Sequence, residues 1–283
     1  MTDVGVFPFG QPIGTLRELK RGPRRVFVLG VYASAVHARW IGGNRKTRIR
    51  ALAVASEPEI FWTGHGAESL IRQVEIPEEA GCLKPAGPDL NGPSGRALDE
   101  RYLEPLGIAR TEAWLCDLVP HSCMNDGQAR AIERAYRPLM KELDLPEVIW
   151  PRAPKSEADW RNLVDRQRRD RIASEVAEAS PEILVTLGDA PLRRFARHFG
   201  ARSRLASYGQ SRDEYGRLHE ATIAGCRLQL LPLVHPRQAE KLGTSSPKWA
   251  ELHRHWIASR ASGFLGNVSQ SDTIRPTDSK RGS

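Results

Sequence analysis

Cysteine is scarce in this sequence, and the little there is has no pattern: Cys82, Cys116, Cys123 and Cys226 form no CxxC pair and no ligand-like spacing. Zinc ribbons and disulfide-stapled scaffolds are thereby excluded, and no metal site is expected. Neither GxGxxG nor GxxxxGK followed by Ser or Thr occurs. A dinucleotide or nucleoside-triphosphate enzyme loses its main support, and no cofactor is expected. No apolar run approaches the ~20 residues of a membrane-spanning helix, so no membrane partner is expected. The opening residues, MTDVGVFPFGQP, lack the basic-then-apolar order of a signal peptide, and a cytoplasmic location follows as the expectation.

Arginine, by contrast, is abundant. Lys and Arg number 42 against 34 Asp and Glu, a net charge of +8, with clusters at RELKRGPRR (17–25) and RQRRDR (166–171). Such a balance favours a polyanionic partner, nucleic acid ahead of a merely solvated basic surface. Hydrophobic content of 40% beside 27% charged residues is that of a chain that folds around a core. A single monomeric domain over 1–261 is expected, followed by a polar tail, 262–283, too poor in apolar residues to pack.

Along the chain, RRVFVLGVYAS (24–34) is a valine-rich run ending near a glycine, the form of a buried parallel strand. A second apolar run lies near 49–55, and a Pro/Gly-rich loop over 76–95. ALDERYLEPLGI has leucines at helical spacing and a glycine stop. AWLCDLV (113–119) reads as a strand. A helix follows, capped by Asn125 with Gln128 completing a capping-box-like pair. One helix is expected around 157–179, then the strand EILVTLG and the helix PLRRFARHF. The stretch 218–235 reads as strand, turn at Gly225 and final strand, and a terminal helix spans 247–260. Cys116 and Cys226 fall in apolar strands and read as small core residues. This alternation predicts a three-layer α/β/α sandwich around a central, mainly parallel, four-stranded sheet.

In such sheets ligands bind at the carboxyl ends of the strands. Four strand ends carry unusual residues: Gly30-Val31-Tyr32-Ala33-Ser34, Asp117, Gly188-Asp189-Ala190 and His235-Pro236. Asp117 is the sharpest of these, because a carboxylate closing a buried strand is costly unless it has a partner or a task.

These strand ends, in this order, resemble the uracil-DNA glycosylase superfamily. VFVLGVYAS is similar to its first strand and water-positioning loop, and NGPSGRALDERYLEPLGI with AWLCDLVP to the helix and base-reading strand of its thermophile-type members. PEILVTLGDAPLRRF and LLPLVHPRQ are similar to its strand-glycine-helix and His-Pro motifs, and the match runs from about Val26 to Leu242. The four-cysteine pattern of the family's small iron–sulfur members is missing. The resemblance implies a uracil-DNA-glycosylase-like fold and hydrolysis of the bond joining a flipped-out base to deoxyribose, leaving an abasic site in DNA.

By that resemblance His235 donates to O2 of the departing base; its alternative is a cap for the turn before Pro236. The family's usual Asp, Asn or Glu after the first strand is absent, so Tyr32 becomes pocket wall beside Gly30. Asp89 and Asn91 in the glycine-rich loop are the candidates to position water, or else ordinary turn formers. Ser34 stands where uracil enzymes reject a 5-methyl group and leaves room beside C5. Gly188, Pro236, Arg237 and Gln238 fall on the DNA-binding loops; Arg237, Gln238 and Leu242 are candidates to plug the vacated duplex position.

Asp117 matches the asparagine that reads the base edge in uracil enzymes. An ionised carboxylate has no donor for O4 of uracil, whereas the cytosine amino group at N4 suits it. The expected substrate is therefore a modified cytosine, hydroxymethylated or glucosylated, in phage DNA, with defence against phage as the role. Alternatives are a glycosylase for uracil or another deaminated base, and a catalytically inactive nucleic-acid-binding relative. A further alternative for Asp117 itself is that it only holds the LVPHS loop or the start of the helix near Asn125.

Overall fold

A computed structural model describes residues 4–19, 21–239 and 246–260. The expected tail over 262–283 and Leu242 lie outside the described residues. Eight strands are described: β1 (Val26–Tyr32), β2 (Ala35–Ile41), β3 (Thr47–Ser56), β4 (Cys82–Pro85), β5 (Ala113–Val119), β6 (Ile183–Leu187), β7 (His219–Ile223) and β8 (Cys226–Leu233). The helices are α1 (Ala67–Arg72), α2 (Pro93–Leu98), α3 (Asp126–Ala131), α4 (Arg137–Met140), α5 (Glu157–Leu163), α6 (Arg166–Ala179), α7 (Asp189–Arg194), α8 (Pro236–Ala239) and α9 (Pro247–Arg260).

The main sheet has the order β5-β1-β6-β8-β7, parallel except for β7, and is flanked by helices. This α/β architecture is consistent with three layers. The expected sheet of four strands gains β7 as an antiparallel edge. β5 and β6 are buried throughout, as strands covered on both faces must be, while β7 alternates between exposed and half-buried positions before Ile223. The β7–β8 turn has two positive φ values, Ala224 at 52° and Gly225 at 81°, the pattern that matches hairpin twist. Its place at Gly225 is as read from the sequence.

A second sheet, β3-β2-β4, was not expected. β2 alternates Val36, Ala38 and Trp40 inward with His37 and Arg39 on the other face, and Arg39 is exposed. Its polar face hid it among loop residues. β4 lies within the Pro/Gly-rich stretch and pairs with β2 alone. A second apolar cluster built on Phe7, Phe9, Trp40, Tyr136 and Trp150 fills the space beneath this sheet.

Two helix expectations need correction. The helix around 157–179 is broken at Val164, whose φ of −122° and ψ of 63° leave the helical region. The Asp165 carboxylate starts α6 afresh by accepting from Arg168 N at 2.7 Å. Asn125 does cap α3, accepting from Gln128 N at 3.0 Å. The Gln128 side chain does not close a capping box. It joins α3 to β3 instead, donating to Ala51 O at 2.9 Å and accepting from Ala53 N at 3.0 Å.

Candidate functional site at the strand ends

The parallel strands β5, β1, β6 and β8 bring Asp117, Gly30, Gly188 and His235 to one edge of the main sheet. Gly30 is in register with Asp117 on the neighbouring strand. A Cβ on Gly30 would lie 2.2 Å from Asp117 Oδ1 and 2.7 Å from Phe61 Cζ, so only glycine lets carboxyl and ring meet there.

Asp117 is 3% exposed, and no hydrogen bond or ion pair to its carboxyl is made among the described residues. Burial pushes it up to about 7, opposed by the nearby Arg168 guanidinium. Arg168 does not ion-pair with it. Its Nε donates to Leu118 O at 3.0 Å and its Nη2 to the Asp117 backbone carbonyl at 2.5 Å, so α6 braces the backbone and leaves the carboxyl free. The side chain does not hold the LVPHS loop, where His121 Nδ1 pairs with Ser122 O at 3.0 Å. Among the described residues, the Asp117 carboxyl has no structural partner.

A second buried carboxyl, Glu57, comes from the other sheet. Only Ala33 and Ser34 separate β1 from β2, and neither carries a carboxylate. β3 pairs with β2 so that Ser56 faces Ala35, which brings the next residue, Glu57, alongside that link. Glu57 is 5% exposed, without a hydrogen bond to its carboxyl among the described residues. It is pushed up to about 8 by burial and then by the negative charge of Asp117.

The loop beyond Glu57 is clamped. Arg96 Nη1 donates to Thr63 O at 2.6 Å and to Asn91 O at 2.7 Å, and Arg110 Nη2 donates to the carbonyls of Ile60 and Phe61. Phe61 takes φ of 52°, a strained value for a side chain of its size, and its ring edge lies over Gly30. Neither Glu57 nor Phe61 was a candidate from the sequence. No local pattern marks them, since their place depends on pairing between distant strands.

His235 follows β8 and is half-buried. Its Nδ1 accepts from Arg237 N at 3.2 Å, which assigns the ring hydrogen of the neutral form to Nε2. Burial, reinforced by the Arg237 charge, draws it down to about 4, so it is neutral at physiological pH and presents an N–H. Gly188, at φ of 84°, leaves only 3.3 Å between a would-be Cβ and His235 Cβ, and Gln238 Oε1 lies 3.9 Å from the same point. Burial pushes the Tyr32 phenol up, opposed by the Arg237 charge, and burial together with the Asp117 charge pushes the Cys123 thiol up to about 12. Ser34 is half-buried in the link, Pro236 is buried and opens α8, and Arg237 is exposed.

Among the described residues, two candidates make no hydrogen bond to Asp117, Glu57 or His235. Asn91 is 3% exposed, and its amide holds the β2 backbone: Oδ1 accepts from His37 N at 2.7 Å and Nδ2 donates to His37 O at 2.9 Å. The side chain clamps the loop to β2. Asp89 is exposed on a short turn (Pro88–Leu90) and makes no hydrogen bond or ion pair among the described residues. Among those residues, no group of three or more His, Cys, Asp and Glu is arranged to hold a metal, and no helix is long and apolar enough to cross a membrane. Comparison with models of known protein families and with curated proteins gave no match.

Proposed function

We propose that this protein is a monofunctional DNA glycosylase of uracil-DNA-glycosylase-like fold, reading a cytosine-type base with Asp117. The observation that carries the reading is the pair of buried carboxyls, Asp117 and Glu57, at the same strand ends as a neutral histidine. Two buried carboxyls with no partner among the described residues lower stability, and burial of that kind supports a functional site. In this reading the flipped base enters at the strand ends against Asp117, with the Phe61 ring as a wall beside it. His235 Nε2–H donates to O2 as the C1′–N bond breaks and its electron pair moves onto the base. Water attacks C1′ and passes its proton to the ionised member of the carboxyl pair.

Near neutral pH the pair holds about one proton, since each carboxyl opposes ionisation of the other. Base binding that places the shared proton on Asp117 lets its carboxyl donate to N3 of cytosine and accept from the N4 amino group, and leaves Glu57 the ionised member. The half-buried serine in the Ala33-Ser34 link leaves space for a C5 substituent, which favours hydroxymethylated or glucosylated cytosine and a role in defence against phage. The value near 7 also supports a second reading. A neutral carboxylic acid mimics asparagine and accepts N3–H of uracil while donating to O4, so uracil is excluded only where Asp117 is ionised.

Matched oligonucleotides carrying uracil, cytosine, hydroxymethylcytosine or its glucosylated form, followed by alkali, test both. Cleavage at modified cytosine alone supports the first reading. Cleavage at uracil that fades above pH 7 supports the second. Bound but uncleaved DNA leaves a nucleic-acid-binding relative and sinks both.

A further inference from the structure

Val234, the residue before His235, is fully buried and lies just past the main-sheet ladder, whose last β6–β8 partners are Leu187 and Leu233. Two phenols replace the missing strand. Val234 N–H donates to Tyr215 Oη at 3.0 Å, and Tyr102 Oη donates to Val234 O at 2.8 Å. Behind them, Tyr215 Oη lies 2.9 Å from His253 Nδ1, and His253 Nε2 lies 3.1 Å from Arg101 O. His253 belongs to α9 and is 1% exposed, its ring stacked on Trp256 at 5.3 Å and packed against Tyr102 at 4.5 Å.

Valence fixes every hydrogen in this chain. A carbonyl oxygen only accepts, so His253 Nε2 carries the ring hydrogen and Nδ1 is the acceptor. Tyr215 must then donate to Nδ1, which leaves its lone pairs for Val234 N–H. Burial holds His253 neutral, as this arrangement requires, by drawing it down to about 4.

We propose that His253 is a positioning residue for His235, acting through Tyr215 and the backbone of Val234. The inference rests on His235 serving as the donor to the departing base. His253 orients the Tyr215 hydroxyl so that it accepts rather than turns away from Val234 N–H. The next residue's imidazole is thereby aimed at one point among the strand ends.

The test uses full-length Tyr215→Phe, which removes one oxygen and keeps the ring, together with His253→Phe. Amide hydrogen exchange is read at Val234, and the ring-nitrogen shifts of His235 report its tautomer. Both variants are expected to speed exchange at Val234 by about tenfold or more, with Leu230 and Leu231 still protected, and to mix the His235 tautomers. On whichever oligonucleotide the wild type cleaves, kcat falls about ten- to a hundredfold with KM nearly unchanged. Unaltered Val234 exchange in His253→Phe overturns the proposal, as does lost protection with an unaltered His235 tautomer and unaltered kcat. A wild type that cleaves none of the oligonucleotides counts against the proposed function, and the exchange and tautomer readings then decide this inference alone.

Discussion

Replacing Asp117 with Asn is expected to make the protein more stable. A carboxyl raised from 3.8 to about 7 by burial costs folding at neutral pH, because the unfolded chain ionises freely and the folded one does not. The unfolded state sheds its proton near pH 4, and the folded state keeps it until about pH 7. Stability from this group is therefore complete below pH 4, falls through that window and levels off above it. The shift corresponds to about 4 kcal/mol. Asparagine has nearly the same shape and cannot ionise, so the penalty disappears. Its amide meets the same sparse surroundings as the protonated acid, so wild type and variant converge at pH 4. Relief of Glu57, which feels the Asp117 charge, adds to the gain. Urea unfolding followed by tryptophan fluorescence from pH 4 to 9 reads the effect: a gain of about 2–4 kcal/mol at pH 8, shrinking toward zero at pH 4. A variant less stable than wild type at pH 8, or a gain independent of pH, would refute the reasoning by showing that the native carboxylate has a partner. The same substitution is expected to move base preference toward uracil at pH 8, in the oligonucleotide assay.

Glu57→Gln is expected to lower kcat about a hundredfold or more while DNA affinity, measured by fluorescence anisotropy, stays within about twofold; equal activity removes Glu57 from the chemistry. Gly30→Ala places a methyl against Asp117 and Phe61 and is expected to destabilise by about 1–3 kcal/mol and close the base pocket, detected as loss of abasic-site formation. Asn91→Ala leaves the His37 backbone N–H and C=O without their partner and is expected to lower stability by about 1–3 kcal/mol in urea. Asp89→Ala is expected to leave both stability and kcat unchanged, and a large fall in kcat would place that residue in the site.

The strands of the main sheet were legible because a strand buried on both faces is written as a continuous apolar run, as in Val26–Leu29, Ala113–Cys116 and Ile183–Leu187. Helix starts were legible where a side chain caps its own backbone, as at Asn125, but the break at Val164 was not, because the arginines after Asp165 continue a helical composition. β2 escaped because His37 and Arg39 interrupt its apolar face, and its pairing with β3 and β4 is a property of residues far apart in the chain.

The sequence by itself determined which residues stand at the strand ends: Gly30, Asp117, Gly188 and His235 follow from local runs and their stops, and the parallel sheet brings such ends to one edge. Tertiary structure alone decided what those residues can do. Glu57 reaches the site through the register of β3 on β2, Phe61 through arginine clamps on its loop, and the Asn91 side chain is clamped to the backbone of His37. The physical reason is that periodicity is a local property, whereas desolvation and hydrogen-bond satisfaction sum over neighbours supplied by distant segments. A carboxyl's chemistry depends on that sum, and for Asp117 and Glu57 it existed only once two sheets had come together.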